Sequence, residues 1–182
     1  MKNQIIVLGL ALVFFACQPA KKEEKEVAES EPVVEQQADP QLVKLWETDT
    51  VLTTCESVLF DENNNRLFVS NINGQPLEKN GQGFISILNM DGSIKNLKWI
   101  TGLNAPKGMG ILDGHLYVTD IDRIVAIDLE TAKMVKEYTP KEAEFLNDIT
   151  VSENAVYISD MGLGMIHKIE NEELSTIAEN AT

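Results

Sequence analysis

The chain has 182 residues, with 29 acidic against 15 basic side chains and a formal net charge of −14. A length of this order fits one domain. The acidic balance repels phosphate backbones and argues against nucleic acid as a partner, and two cysteines are too few for a disulfide framework.

The chain opens with one positive charge, Lys2, followed by an uncharged apolar run over residues 5–15. That run is too short to span a bilayer as a helix and has the form of a secretory signal over residues 1–16. It ends in Ala16-Cys17, which resembles a bacterial lipobox. The resemblance implies cleavage after Ala16 and lipidation of Cys17. At about 0.8 kcal/mol per buried methylene, several acyl chains would hold the protein on a membrane. The expected location is extracytoplasmic, anchored by lipid to a bacterial outer membrane and facing the periplasm or the cell exterior. Residues 17–41 are rich in Glu, Lys, Gln, Ala and Pro. They hold too little apolar surface to offset the entropy of ordering and are expected to form a disordered tether. With Cys17 lipidated, Cys55 has no disulfide partner and is expected to pack as a small buried hydrophobe.

From residue 42 the texture changes to short β-rich runs separated by turn signals. "RLFVSN", "HLYVTD" and "AVYISD" repeat one pattern, which makes Val69, Val118 and Ile158 equivalent. Each copy lies between an apolar strand before it and two further strands after it. The spacings are roughly 49 and 40 residues, the first lengthened by the insertion "GQPLEKNGQG". A period near 40 residues with four strands per repeat predicts β-propeller blades. The expected fold is all-β, with four-stranded antiparallel blades over about 42–101, 102–140 and 141–182. Asp91-Gly92 and Asp113-Gly114 fall where hairpin turns need positive φ. Propellers close with four to eight blades, so three make a partial ring. The expected reading is a fragment of a longer, six-bladed protein; a chain that truly ended at Thr182 would instead be expected to pair with a second copy.

Innermost strands line a propeller's channel. Counting back from Phe60, Ile111 and Val151 makes Glu56, Lys107 and Asn147 equivalent. A carboxylate, an ammonium and an amide are thus expected to converge at one mouth. Glu56 and Asn147 offer oxygens that suit a hard divalent cation; Lys107 does not. Asp148, beside Asn147, is a candidate general base. Asn71, Asp120 and Asp160 recur at one blade position, which predicts side chains that bond nearby turn backbone. His115 and His167 lack metal-ligand spacing, and Trp46 and Trp99 are expected to pack.

The segments "CESVLFDENNNRLFVSN", "APKGMGILDGHLYVTDIDRIVAID" and "LNDITVSENAVYISDMGLGMIHKI" resemble the six-bladed propellers of the senescence marker protein/gluconolactonase family. They also resemble their NHL-repeat and strictosidine-synthase-like relatives. The resemblance covers residues 45–182, about three of six blades. It implies a divalent metal (Ca, Mn or Zn) on the channel axis, held by residues in the positions of Glu56 and Asn147. There the metal would support hydrolysis of a sugar lactone or related ester. Ser57-Val58 stands where the family has Gly-Pro, and Lys107 stands where an oxygen ligand would serve better. Two functions are carried forward: a membrane-anchored module that binds a small-molecule ligand or protein partner, and a metal-dependent lactone hydrolase.

Overall fold

The computed structural model describes residues 41–178. The expected signal peptide, Cys17 and all of the expected tether except Gln41 lie outside the described residues, as do residues 179–182. Twelve strands form three separate four-stranded antiparallel sheets. Blade 1 comprises β1 (Cys55–Asp61), β2 (Arg66–Asn71), β3 (Gly83–Asn89) and β4 (Ile94–Leu103). Blade 2 comprises β5 (Pro106–Leu112), β6 (His115–Asp120), β7 (Arg123–Asp128) and β8 (Lys133–Tyr138). Blade 3 comprises β9 (Leu146–Val151), β10 (Ala155–Asp160), β11 (Met165–Glu170) and β12 (Glu173–Ala178). Within each sheet the strands follow chain order. The only helical element among the described residues is a single 3₁₀ turn, Glu62–Asn64.

Local chemistry explains these elements. The second strands β2, β6 and β10 are apolar on both faces, the pattern of a sheet suited to cover on both sides. Phe68, Val118, Val156 and Ile158 are fully buried. At the β5–β6 turn both Asp113 (φ 48°) and Gly114 (φ 75°) are left-handed. That is the geometry a two-residue hairpin matching strand twist demands.

Blades pack through two apolar cores. One joins Phe68, Ile85 and Ile87 of blade 1 to Met109, Leu116 and Val118 of blade 2. The other joins Tyr117, Ile124 and Tyr138 of blade 2 to Leu146, Val156 and Ile158 of blade 3. The first strands β1, β5 and β9 lie side by side, with β5 in the middle. A β-carbon on Gly108 would sit 2.5 Å from the Asn147 carbonyl oxygen and 2.7 Å from the Asp148 Cα. Only a glycine lets β5 and β9 approach this closely. Trp99 stacks on Phe68 at 5.0 Å, and Trp46 lies against Gly92; both tryptophans pack, as expected.

Candidate functional site at the starts of the first strands

Strand pairing reproduces the repeat alignment residue for residue. Val58, Met109 and Ile149 lie opposite Val69, Val118 and Ile158. Glu56, Lys107 and Asn147, two residues earlier in each strand, are therefore equivalent. All three fall inside β-bulges. Cys55 pairs with Asn71 and Val58 with Val69, so three steps on β1 match two on β2. The same extra residue occurs between Pro106 and Met109 and between Leu146 and Ile149. A bulge leaves backbone groups unpaired and re-aims side chains.

The hydroxyl of the repeat motif serves the bulge. Ser57 N–H donates to Ser70 Oγ at 3.0 Å, and Asp148 N–H donates to Ser159 Oγ at 3.0 Å. Thr119 Oγ1 donates to the Asn147 carbonyl at 2.6 Å and lies 3.3 Å from the Gly108 carbonyl, bridging blades 2 and 3. The Ser or Thr of each repeat is thus explained by the bulge beside it.

The recurrent Asn or Asp is structural, with a wider reach than a turn. Asp160 accepts N–H bonds from Gly162 and Leu163 in the β10–β11 turn. It also accepts from Glu144 and Phe145, which lead into β9. Asp120 accepts from Asn104 and Ala105, which lead into β5, and holds Arg123 at 2.7 Å. These carboxylates fix where the first strands of blades 2 and 3 begin. Asn71, in blade 1, donates to the Val69 carbonyl and Ser86 Oγ, while its own Oδ1 is buried without a partner.

Glu56 and Asp148 are exposed at the start of β1 and of β9, and Asn147 is half-buried. Burial first, and the charge of Asp148 second, push the Glu56 carboxyl above the usual range, while Lys107 pulls it back. Glu56, Asp148 and Lys107 therefore share one electrostatic neighbourhood. Asn147 Nδ2 lies 3.5 Å from Asp148 Oδ2.

Lys107 departs from the expected convergence. It is 1% exposed. Its Nζ donates to the Pro76 and Ala105 carbonyls, each at 2.9 Å, and sits 4.8 Å from the Phe145 ring centroid. Burial holds its pKa below the usual lysine value, opposed by Asp120 and Glu56. The ammonium is buried on backbone carbonyls rather than exposed at the mouth, and it fastens the blade 1 insertion onto blade 2. That insertion is fastened further by Lys79 to Asp122 at 2.5 Å and by Gly81 N–H to Asn104 Oδ1 at 3.2 Å.

Cys55 also departs from expectation: it is a free thiol and exposed, because it starts β1 beside the same mouth. His115 and His167 share no metal site, and no cluster of three or more His, Cys, Asp or Glu able to hold a metal is present among the described residues. The two carboxylates and one amide at the mouth match a hard divalent cation in chemical type and fall short of its usual six to eight oxygens in number.

No family model and no curated protein matches this chain. Solved structures do. A structure of a nidogen/laminin complex matches with a TM-score of 0.57 and 15% identity, over 73% of this chain and 50% of that one. Virginiamycin B lyase from Staphylococcus aureus, in selenomethionine form, matches with a TM-score of 0.51 and 17% identity, over 68% of this chain and 40% of that one. The fold is that of a β-propeller, three blades of it. The chain spans about half or less of the length of these two chains, and likeness at such identities shows fold alone.

Proposed function

We propose that this chain is the ligand- or partner-binding module of a lipid-anchored, extracytoplasmic β-propeller of the gluconolactonase-like type. The observation that carries the reading is the mouth itself. Glu56 on β1, and Asn147 and Asp148 on β9, stand at bulges on the first strands either side of β5, two carboxylates and an amide reachable by solvent, while Lys107 between them is held on backbone carbonyls. Such a mouth favours hydroxyl-rich or cationic ligands, which carboxylates and amides can hydrogen-bond. Attachment through Cys17 would present it at a membrane surface.

Two experiments test this. Melting of the chain is followed with a panel of neutral sugars, amino sugars and basic peptides. A ligand of this site raises the melting temperature, and Glu56→Gln with Asp148→Asn removes the rise. No shift with any class would overturn the binding reading. Radiolabelled palmitate supplied to expressing bacteria should label the chain and not its Cys17→Ser variant; equal labelling of both, or labelling of neither, would remove the anchor at Cys17.

A second reading, a metal-dependent hydrolase of sugar lactones or related esters, is favoured by the Glu56–Asp148 repulsion, which a cation would relieve. Glu56 and Asn147 would hold the metal, and Asp148 would hold or release a proton at its carboxylate. A bound divalent metal would supply Lewis-acid polarisation of the ester carbonyl. Added Ca²⁺, Mn²⁺ or Zn²⁺ should then raise the melting temperature of the wild-type chain and leave Glu56→Gln unmoved. Absence of any such rise removes this reading.

A further inference from the structure

The far ends of the first strands, opposite the mouth, hold charges that the repeat does not explain. Asp61 closes β1 and Arg66 opens β2, and the two residues pair across the strands. Leu112 and His115 hold these positions in blade 2, and Ser152 and Ala155 hold them in blade 3. An ion pair present in one blade of the three is no requirement of the blade. Arg66 Nε donates to Asp61 Oδ2 at 2.7 Å, and Asn64 donates to both Asp61 oxygens. The guanidinium lies over the Phe68 ring at 4.7 Å and the Trp99 ring at 5.9 Å, and only 14% of the side chain is exposed. It is held in place on three sides, yet neither Nη group bonds an acceptor among the described residues.

Arg66 borders a hollow of about 460 Å³ between blades 1 and 2, both of whose walls belong to described blades. The blade 2 wall carries Asp113, Asp128 and Glu130. Asp128 bonds Thr131 through Oδ1, while the carboxylates of Asp113 and Glu130 make no hydrogen bond or ion pair among the described residues. His115 donates its Nδ1–H to the Asp113 carbonyl at 2.8 Å, which leaves Nε2 as an acceptor in the neutral ring. Ile111 and Leu129, both half-buried, add an apolar wall. Asp61 offsets the charge of Arg66, so the three blade 2 carboxylates are in surplus. That surplus repels a plain anion and favours a ligand that brings more positive than negative charge.

We propose that this hollow binds a free basic α-amino acid of the lysine type. The α-carboxylate takes the open Nη donors of Arg66, because a planar guanidinium already fixed by stacking loses little freedom on binding a carboxylate. The α-ammonium and the side-chain ammonium are shared among Asp113, Asp128, Glu130 and His115 Nε2. The methylenes between them lie against Ile111 and Leu129. The volume falls in the range of small-molecule sites. Glu56 stands at the start of β1 and Asp61 at its end, so this site and the mouth lie at opposite ends of one strand. The inference therefore holds whatever the mouth binds.

Isothermal titration calorimetry of the full chain with L-lysine, L-norleucine and cadaverine tests this. L-lysine should bind measurably. Norleucine lacks the side-chain ammonium and cadaverine lacks the carboxylate, and each should bind roughly tenfold more weakly or worse. Asp113→Asn with Glu130→Gln alters exposed side chains only, and should weaken L-lysine binding by roughly tenfold. Arg66→Lys keeps a cation beside Asp61 and removes the fork. With its fold checked by circular dichroism, it should lose the preference for L-lysine over cadaverine. Glu56→Gln should bind L-lysine as the wild type does; loss of binding there would put the ligand at the mouth and overturn the proposal. So would the absence of any heat with L-lysine at millimolar concentration, cadaverine bound as tightly as L-lysine, or unweakened L-lysine binding by the Asp113→Asn, Glu130→Gln variant.

Discussion

Removing the Asp120 carboxylate should cost more than any other single change at the blade junctions. Asp120 is fully buried. It accepts N–H bonds from Asn104 at 2.9 Å and Ala105 at 2.8 Å, and binds Arg123 through Nε at 2.9 Å and Nη2 at 2.7 Å. Asp120→Ala leaves the buried Ala105 N–H and the partly buried Asn104 N–H without acceptors, at about 1–3 kcal/mol each. The Arg123 bond contributes less, because that guanidinium is partly exposed and keeps Glu137 at 2.9 Å. The expected loss is about 4 kcal/mol, against a typical total stability of about 5–15 kcal/mol. For a unit of this size that corresponds to a fall of roughly 12 °C in Tm. Urea unfolding followed by Trp46 and Trp99 fluorescence measures it. Asn71→Ala, at the equivalent place in blade 1, removes a neutral side chain whose Oδ1 bonds nothing, and should cost about 1 kcal/mol. If Asn71→Ala proved as damaging as Asp120→Ala, the reasoning that the carboxylate organises the strand junction would be wrong.

Three further outcomes are expected. His167 is fully buried, with Nδ1 3.0 Å from Thr176 Oγ1 and Nε2 unpaired. Burial pushes its pKa below the usual 6.5, with Asp160 opposing. The unfolded chain then takes up a proton that the folded chain resists, so stability is unaffected above pH 6.5 and falls as pH drops below it. Melting curves between pH 7.5 and 5 should show this slope, and His167→Leu should flatten it; equal slopes would exclude His167 as the cause. Lys107→Met removes the Nζ bonds to Pro76 and Ala105 and should speed tryptic cleavage at Lys79 several-fold. An unchanged cleavage rate would mean that the insertion is held by other contacts. Gly108→Val places a side chain against the backbone of Asn147 and Asp148. It should destabilise by about 3 kcal/mol, at the upper end for overpacking, and a variant as stable as wild type would contradict the close approach of β5 to β9.

Strand periodicity, turn residues and a 40-residue repeat are local properties, and they were enough to fix the all-β blade architecture. Strand pairing confirms the equivalence of Glu56, Lys107 and Asn147, because the repeat motif carries its register with it. The structural role of Asp120 and Asp160 was legible for the same reason, since recurrence in every unit marks a need of the unit.

What the tertiary structure alone decided is non-local. Lys107 is buried and held on backbone because Pro76, 31 residues away on an insertion without counterpart in the other blades, presents a carbonyl to it. Glu56 and Asp148 repel each other only because β5 brings β1 and β9 onto one neighbourhood. Cys55 lies exposed because it precedes the bulge at the free edge of β1 rather than within its packed part. Gly108 and Gly110 look like ordinary strand-weakening glycines in sequence; packing shows that they set how closely two blades meet. Propensity and pattern act over a few residues, whereas the chemistry of this mouth depends on which backbone groups of distant segments arrive beside each side chain.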